Sequence, residues 1–150
     1  MFEHGAANRG ELAKAELTLQ EAETKLEDVR GLLVERKAER IRVEADLQTI
    51  AANGDMQQLV TFQSRAVSLD KIISQLAAAE TECIERVDSA RRYLYTLYVR
   101  LEKLRHEFSL LMRQLASRDQ GDIPSDVVSS LGRIKIQLKA ITGENNTGRL

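Results

Sequence analysis

An apolar stripe of unusual length, from Leu59 to Leu115, constrains the fold of this chain more than any other feature of its sequence. Strides of three and four residues, taken alternately from Leu59, meet an apolar side chain at every step except Glu80. This stride is the heptad repeat, which keeps one narrow stripe of a helix against a partner helix. Because no glycine or proline interrupts the segment, the sequence predicts one central helix of roughly 60 residues. Its stripe, called here the central seam, must be covered by other helices.

Two further segments repeat the stride and can supply this cover. An N-terminal seam runs from Leu12 to Ile50 and includes Arg36 and Arg40 at two of its positions. A C-terminal seam runs from Val127 to Ile141. Both are long enough to form helices of ordinary or greater length, so the sequence predicts three helices in all.

Turn and capping residues place the ends of these helices. Gly54 suits the left-handed position that ends a helix, and Asp55 with Gln58 forms a capping box for the next one. The remaining signals are a capping box of Asn8 with Glu11, a break at Asp119–Asp122, Pro124 in a first helical turn and Gly143 as a stop. We therefore expect helix over well more than three quarters of the chain, with breaks near 52–55 and 118–123.

The predicted fold class is all-α, a long antiparallel coiled coil or helical hairpin. A turn as short as the one at Gly54 makes antiparallel neighbours of the two helices that it joins. An N-terminal helix (about 9–52) and a C-terminal helix (about 124–142) would then cover the central helix end to end, meeting at Tyr93 to Arg100. We expect a single elongated domain over 1–150 with disordered tails at 1–8 and 144–150, and a helical bundle on dimerisation.

The composition favours long solvated helices over a compact enzyme core. Charged residues make up 30% of the chain and aromatic residues 4%, with one proline and no tryptophan. The net charge of −1 gives no argument for binding nucleic acid or membranes. Met1 to Gly10 holds no apolar run, and no segment is apolar enough to span a membrane, so the expected location is the cytoplasm.

Signals of catalysis are missing from the sequence. It has no glycine-rich phosphate loop, no nucleophile elbow and no pair of cysteines. His4 and His106 have no second histidine at metal-ligand spacing, and Glu102 near His106 is typical of a surface contact. Cys83, the single cysteine, lies on the central seam and is expected to be a small buried apolar residue. We therefore expect no enzyme activity, no cofactor and no metal site.

The segment from Arg91 to Arg100 is the most unusual in composition, because all three tyrosines of the chain lie in it among basic residues. The candidate partner-binding residues are Arg91, Arg92, Tyr93, Tyr95, Tyr98 and Arg100. Tyrosine and arginine are enriched at protein-binding hot spots, and basic residues interleaved with aromatic ones also suit nucleic acids. A plainer interpretation is that the tyrosine rings close the junction between the outer helices and keep their hydroxyls in water.

Apolar residues beside the central seam predict self-association, since these flanking positions are usually charged in a two-stranded coil. We expect a twofold homodimer whose chains meet between Ile72 and Ile84. Charged residues on the seams are costly to bury alone and would lie near this contact, where they could pair between chains. The candidate self-association residues are Ile72, Ala79, Glu80, Ile84, Arg36 and Arg40.

Two hypotheses of function follow. The first is a non-enzymatic coiled-coil module that binds another protein as an adaptor, scaffold or inhibitor, with no role for a membrane. The alternative is a helical nucleic-acid-associated protein that uses the basic face from Arg86 to Arg118, where eight Lys or Arg outnumber three acidic residues.

Overall fold

The computed structural model describes residues 10–117 and 125–143, and 96% of them are helical. In chain order the helices are α1 (Glu11–Asn53), α2 (Met56–Ala116) and α3 (Ser125–Thr142), and the described residues include no strand. The all-α prediction is therefore confirmed, and the helix limits lie within three residues of the expected ones. Several predicted features lie outside the described residues: the capping box at Asn8, the break at 118–123, Pro124 and both tails.

Local backbone chemistry explains where the helices end. Gly54, at a φ of 74°, donates its N–H to the Ile50 carbonyl and ends α1, and the Asp55 carboxylate accepts the Gln58 N–H at 3.2 Å to cap α2. Gly143, at a φ of 73°, ends α3 by donating to the Lys139 carbonyl at 2.7 Å. Glycine adopts a positive φ without the steric cost that a side chain adds, so the sequence signals at both sites are the physical stops.

The central seam is the buried stripe of α2. Every seam position from Leu59 to Leu115 is buried or half-buried, and elsewhere in α2 only Ala79 and Glu107 are not exposed. The predicted seams of α1 and α3 are likewise buried or half-buried at every position. The 3-4 stride therefore identifies the covered side of each helix.

The chain divides into two compact units, and α1 and α2 each contribute to both. Unit 2 is Glu21–Asp88 and contains the turn at Gly54. Its largest buried cluster joins Val43 of α1 to Ala66 and Leu69 of α2, with Leu47 and Phe62 packed against them. Cross-helix ion pairs link Arg40 to Asp70 and Arg30 to Glu80, so residue numbers rise on α1 as they fall on α2 between these two pairs.

Unit 1 holds Met1–Gln20 and Ser89–Leu150, and its described part contains the start of α1, the second half of α2 and all of α3. Its core is an α2–α3 cluster in which Ile141 is fully buried. The buried members are Leu101, Leu104, Phe108, Ile134, Leu138 and Ile141. Leu12 of α1 packs against the same cluster, which places the start of α1 and the end of α3 together on α2.

Gly10 shows how closely these two helix ends approach. Its carbonyl accepts the Lys14 N–H at 3.2 Å, so it is the capping residue of α1. A methyl group at Gly10 would overlap the backbone of Ile141, Thr142 and Gly143. Glycine is therefore required at this position because the α3 backbone occupies the space of a side chain.

We expect Leu97→Ala and Leu101→Ala each to lower the free energy of unfolding by about 2 to 4 kcal/mol, because both side chains are buried on the seam of unit 1. Urea denaturation measures the change. Val99→Ala, at an exposed position of the same helix, is the matched control and should alter stability by less than about 0.5 kcal/mol. Equal effects at all three positions would mean that this half of the seam is not covered.

Gly10→Ala should destabilise the protein by about 1 to 3 kcal/mol, because the added methyl group meets backbone that cannot move aside. Gly31→Ala is the control, since a methyl group there has no atom within 4 Å. That change should stabilise α1 by up to about 1 kcal/mol through helix propensity. Thermal melts of the two variants that shift in the same direction would contradict the close approach at Gly10.

Candidate interaction surface

The tyrosine- and arginine-rich segment lies on α2 within unit 1, where its aromatic side chains stay largely in water. Tyr95 is 70% exposed, while Tyr98 is 43% exposed and donates its hydroxyl to Oε1 of Glu16 on α1 at 3.0 Å. Arg100 approaches Oε2 of Glu11 at 3.8 Å, a long contact between two well-exposed groups that adds little stability. The acidic start of α1 thus faces part of this segment.

Helix geometry separates the six candidate residues of this segment. At about 100° per residue, Arg91, Tyr95 and Tyr98 share one edge of α2 beside the seam. Tyr93 and Arg100 lie on the opposite edge, about half a turn away. Arg92 lies outward, between the two. The segment therefore offers two distinct edges instead of one continuous face.

A shallow cavity of about 220 Å³ opens beside Tyr93 in unit 1. Its lining residues are Glu11, Lys14, Ala15, Thr18, Ala90 and Tyr93. Ala15 on α1 and Ala90 on α2 are seam residues whose short side chains leave this space unfilled. The walls are mainly apolar, and Glu11 and Lys14 add charged groups to them.

The charged seam residues of unit 2 have partners within the chain. Arg40 binds Asp70 of α2 at 2.8 Å and Glu44 at 3.0 Å, and these two carboxylates raise the pKa of the Arg40 guanidinium. Arg36 lies 3.3 Å from Glu39, and Glu80 accepts a hydrogen bond from Arg30 at 3.1 Å. A second chain is therefore not needed to neutralise these groups, although their role in self-association stays a prediction.

Glu39 is the acidic centre of a second cross-helix contact in unit 2. Arg65 of α2 donates to its carboxylate at 2.6 Å, and this hydrogen bond is the main reason that the pKa of Glu39 lies below its usual value. The heptad pattern alone does not predict these partners, which are Glu39, Arg65, Asp70 and Arg30. The sequence does contain a signal for two of these pairs. In Arg30–Glu80 and in Arg40–Asp70, the two residues lie almost equally far along the chain from the turn at Gly54.

Ile72 and Ile84 remain 38% and 36% exposed, but they flank the seam on opposite sides. They are twelve residues apart, which places them about 120° from each other around α2, with the seam positions between them. Ala79 lies on the same edge as Ile72. The predicted contact between Ile72 and Ile84 therefore comprises two edges with the covered seam between them, and its use in a dimer stays a prediction.

Several other features of the described part of the chain bear on possible chemistry or on a membrane span. Three or more metal-binding side chains do not come together there, and none of its helices is long and apolar enough to cross a membrane. Cys83 is buried as a free thiol, and His106 is exposed, whereas His4 lies outside the described residues. Arg86 pairs with Glu82 at 3.3 Å, so not every basic residue of the Arg86–Arg118 face is available to phosphates.

Comparison with protein-family models, with curated proteins and with solved structures finds no match to this chain.

The Tyr98–Glu16 hydrogen bond predicts a specific titration. The bond, then burial and the negative charge of Glu16, raise the pKa of Tyr98 above its usual value of 10.0. Because the folded-state pKa exceeds the unfolded one, the contribution to stability is complete below about pH 10 and is lost as pH rises through the folded-state pKa. Glu16→Ala should therefore lower the pKa of Tyr98.

Ultraviolet absorbance of tyrosinate measures this pKa in a Tyr93→Phe, Tyr95→Phe background, where only Tyr98 titrates. Glu85→Ala, which removes an exposed carboxylate elsewhere on α2, is the control and should leave the titration of Tyr98 unchanged. An unaltered Tyr98 pKa after Glu16→Ala would show that the α1–α2 contact at this level is absent.

Proposed function

We propose that this chain is a non-enzymatic coiled-coil module that binds another protein as an adaptor, scaffold or inhibitor. In this proposal α1 and α3 lie antiparallel on the seam of α2 and hold it rigid, and the edges of α2 present the binding residues. The simplest partner is a second copy of the chain, because self-association of coiled coils requires no further gene product.

The observation that carries the proposal is the set of large apolar and aromatic side chains that stay exposed while every seam position of α2 is buried or half-buried. In unit 1 these are Leu17, Tyr93, Tyr95, Tyr98, Val99, Leu110, Met112, Val128 and Ile136. Isolated exposed apolar residues are ordinary, but tyrosines concentrated beside arginines have the composition of interface hot spots. A rigid helix presents such side chains with little loss of conformational entropy on binding.

Site-specific photo-cross-linking in the native cell tests this function. A photoreactive residue at Tyr95 should give a discrete protein adduct, whereas the same residue at Glu85, exposed on the outward side of α2 between the two edges, should not. Mass spectrometry identifies the adduct as a second copy or as a different protein. Equal labelling from both positions, or no protein adduct from Tyr95, would contradict a binding role for this edge.

The second candidate, nucleic-acid association, is favoured by the basic residues from Arg86 to Arg118. Binding to phosphates releases counterions, so affinity for a DNA duplex or single-stranded RNA should fall steeply and log-linearly with salt. Fluorescence anisotropy across a salt series measures this dependence. Absence of binding even at low salt would eliminate the candidate and leave protein binding as the proposal.

A further inference from the structure

We propose that one edge of α2 in unit 1 binds the same edge of a second copy, with the two helices antiparallel about a twofold axis between Tyr95 and Tyr98. This edge, called the Tyr95 edge, consists of Arg91, Tyr95, Tyr98 and Glu102. The inference rests on the proposed function, because it names the partner and the contact of an interaction module.

The four side chains form one narrow exposed stripe. Their spacing of four, three and four residues keeps them within about 60° of arc around α2. All four are exposed, and none lies on the seam that α1 and α3 cover. The stripe can therefore meet another helix without disturbing the fold.

The charge order of the stripe is self-complementary only when the second helix is reversed. In an antiparallel pair centred between Tyr95 and Tyr98, Arg91 lies opposite Glu102 of the second copy, and Tyr95 lies opposite its Tyr98. The twofold axis repeats each contact, which gives two opposite-charge pairs and two tyrosine pairs. A parallel pair in register would place Arg91 against Arg91 and Glu102 against Glu102, so repulsion disfavours it.

Contacts within each chain leave these groups able to bind. Tyr98 uses its hydroxyl for Glu16, but the residue as a whole remains 43% exposed. Arg91 already has an interaction within its own chain, and the five N–H donors of a guanidinium can serve a second acceptor. Glu102 is exposed on the surface of α2.

The opposite edge of α2 lacks this complementarity. On that edge Arg100 already contacts Glu11 of α1, and the next acidic residue of α2, Glu107, is half-buried, whereas Glu102 of the Tyr95 edge is exposed. Four side chains per copy also form a small contact, since stable complexes bury about 1,200–2,000 Å² in total. We therefore expect a dimer whose population rises with concentration instead of a permanent one.

Charge exchange tests the antiparallel pairing directly. Arg91→Glu and Glu102→Arg should each weaken dimerisation about tenfold, because each turns two attractions into two repulsions per dimer. The combined variant Arg91→Glu with Glu102→Arg restores opposite charges across the axis and should return the dimerisation constant close to that of the wild type. Sedimentation equilibrium over micromolar to millimolar concentration measures the constants, and circular dichroism checks that each variant stays helical.

Tyr95→Ser tests the Tyr95 edge, and Tyr93→Ser on the opposite edge is its matched control. The first should weaken the dimer, and the second should not. Ile72→Glu with Ile84→Glu tests the contact that the sequence predicted in unit 2. If that variant alone splits the dimer, or if the combined charge exchange fails to restore association, the proposal is wrong.

A measurement on the wild-type chain avoids any dependence on how variants fold. Photo-oxidative cross-linking of mixed light and heavy isotope-labelled protein should join Tyr95 of one copy to Tyr98 of another. A wild-type chain that remains monomeric throughout, or that joins other tyrosines between copies, overturns the inference. Neither result affects the proposed module, which the cellular cross-linking tests independently.

Discussion

Burial of the central seam of α2 is the constraint on which the rest of this structure depends. A helix of 61 residues with a continuous apolar stripe is unstable in water until other helices cover that stripe. In unit 2 the seam residues pack against α1, and in unit 1 Leu101, Leu104 and Phe108 pack against α3, with Leu12 of α1 beside them. Each helix is therefore stabilised mainly by its neighbours, because amphipathic packing contributes more than helix propensity.

A narrow seam has consequences for function. Two-helix packing covers only the a and d positions of the heptad, so the flanking edges stay in water. In unit 2 those edges carry the ion-pair residues Arg30, Arg65 and Asp70, and in unit 1 they carry tyrosines and arginines. Exposed ion pairs contribute little to stability, so their main effect is to select the register in which helices pair. Among the tyrosines, Tyr98 has a structural contact of this kind in its hydrogen bond to Glu16.

The sequence predicts the helices well because each signal has a direct local cause. The 3-4 stride locates the covered stripe of all three helices, and Gly54 and Gly143 have the positive φ that ends a helix. The ion-pair partners were missed because pairing depends on the register between helices, which no single segment encodes. Arg40 illustrates this, since its partner Asp70 lies thirty residues away and is recognised only by counting back across Gly54.

The candidate site was less predictable than the fold, again for a geometric reason. Reading Arg91 to Arg100 as one cluster ignores that neighbouring residues of a helix point in different directions. Gly10 lies inside the predicted N-terminal helix (about 9–52), where no sequence signal calls for a glycine, whereas the α3 backbone beside it requires one. That contact joins residues far apart in the sequence, so it becomes visible only once α1 and α3 are placed on α2.

Residue-specific amide hydrogen exchange measured by NMR tests most directly the claim that the whole seam of α2 is covered. Covered helix opens only with the folded core, so amides from Leu97 to Phe108 should be protected to an extent comparable with those from Ala66 to Val87. Exchange between Leu97 and Phe108 at rates typical of an unstructured peptide, with protection kept between Ala66 and Val87, would contradict the account. It would show that α3 and the start of α1 do not cover this half of the helix.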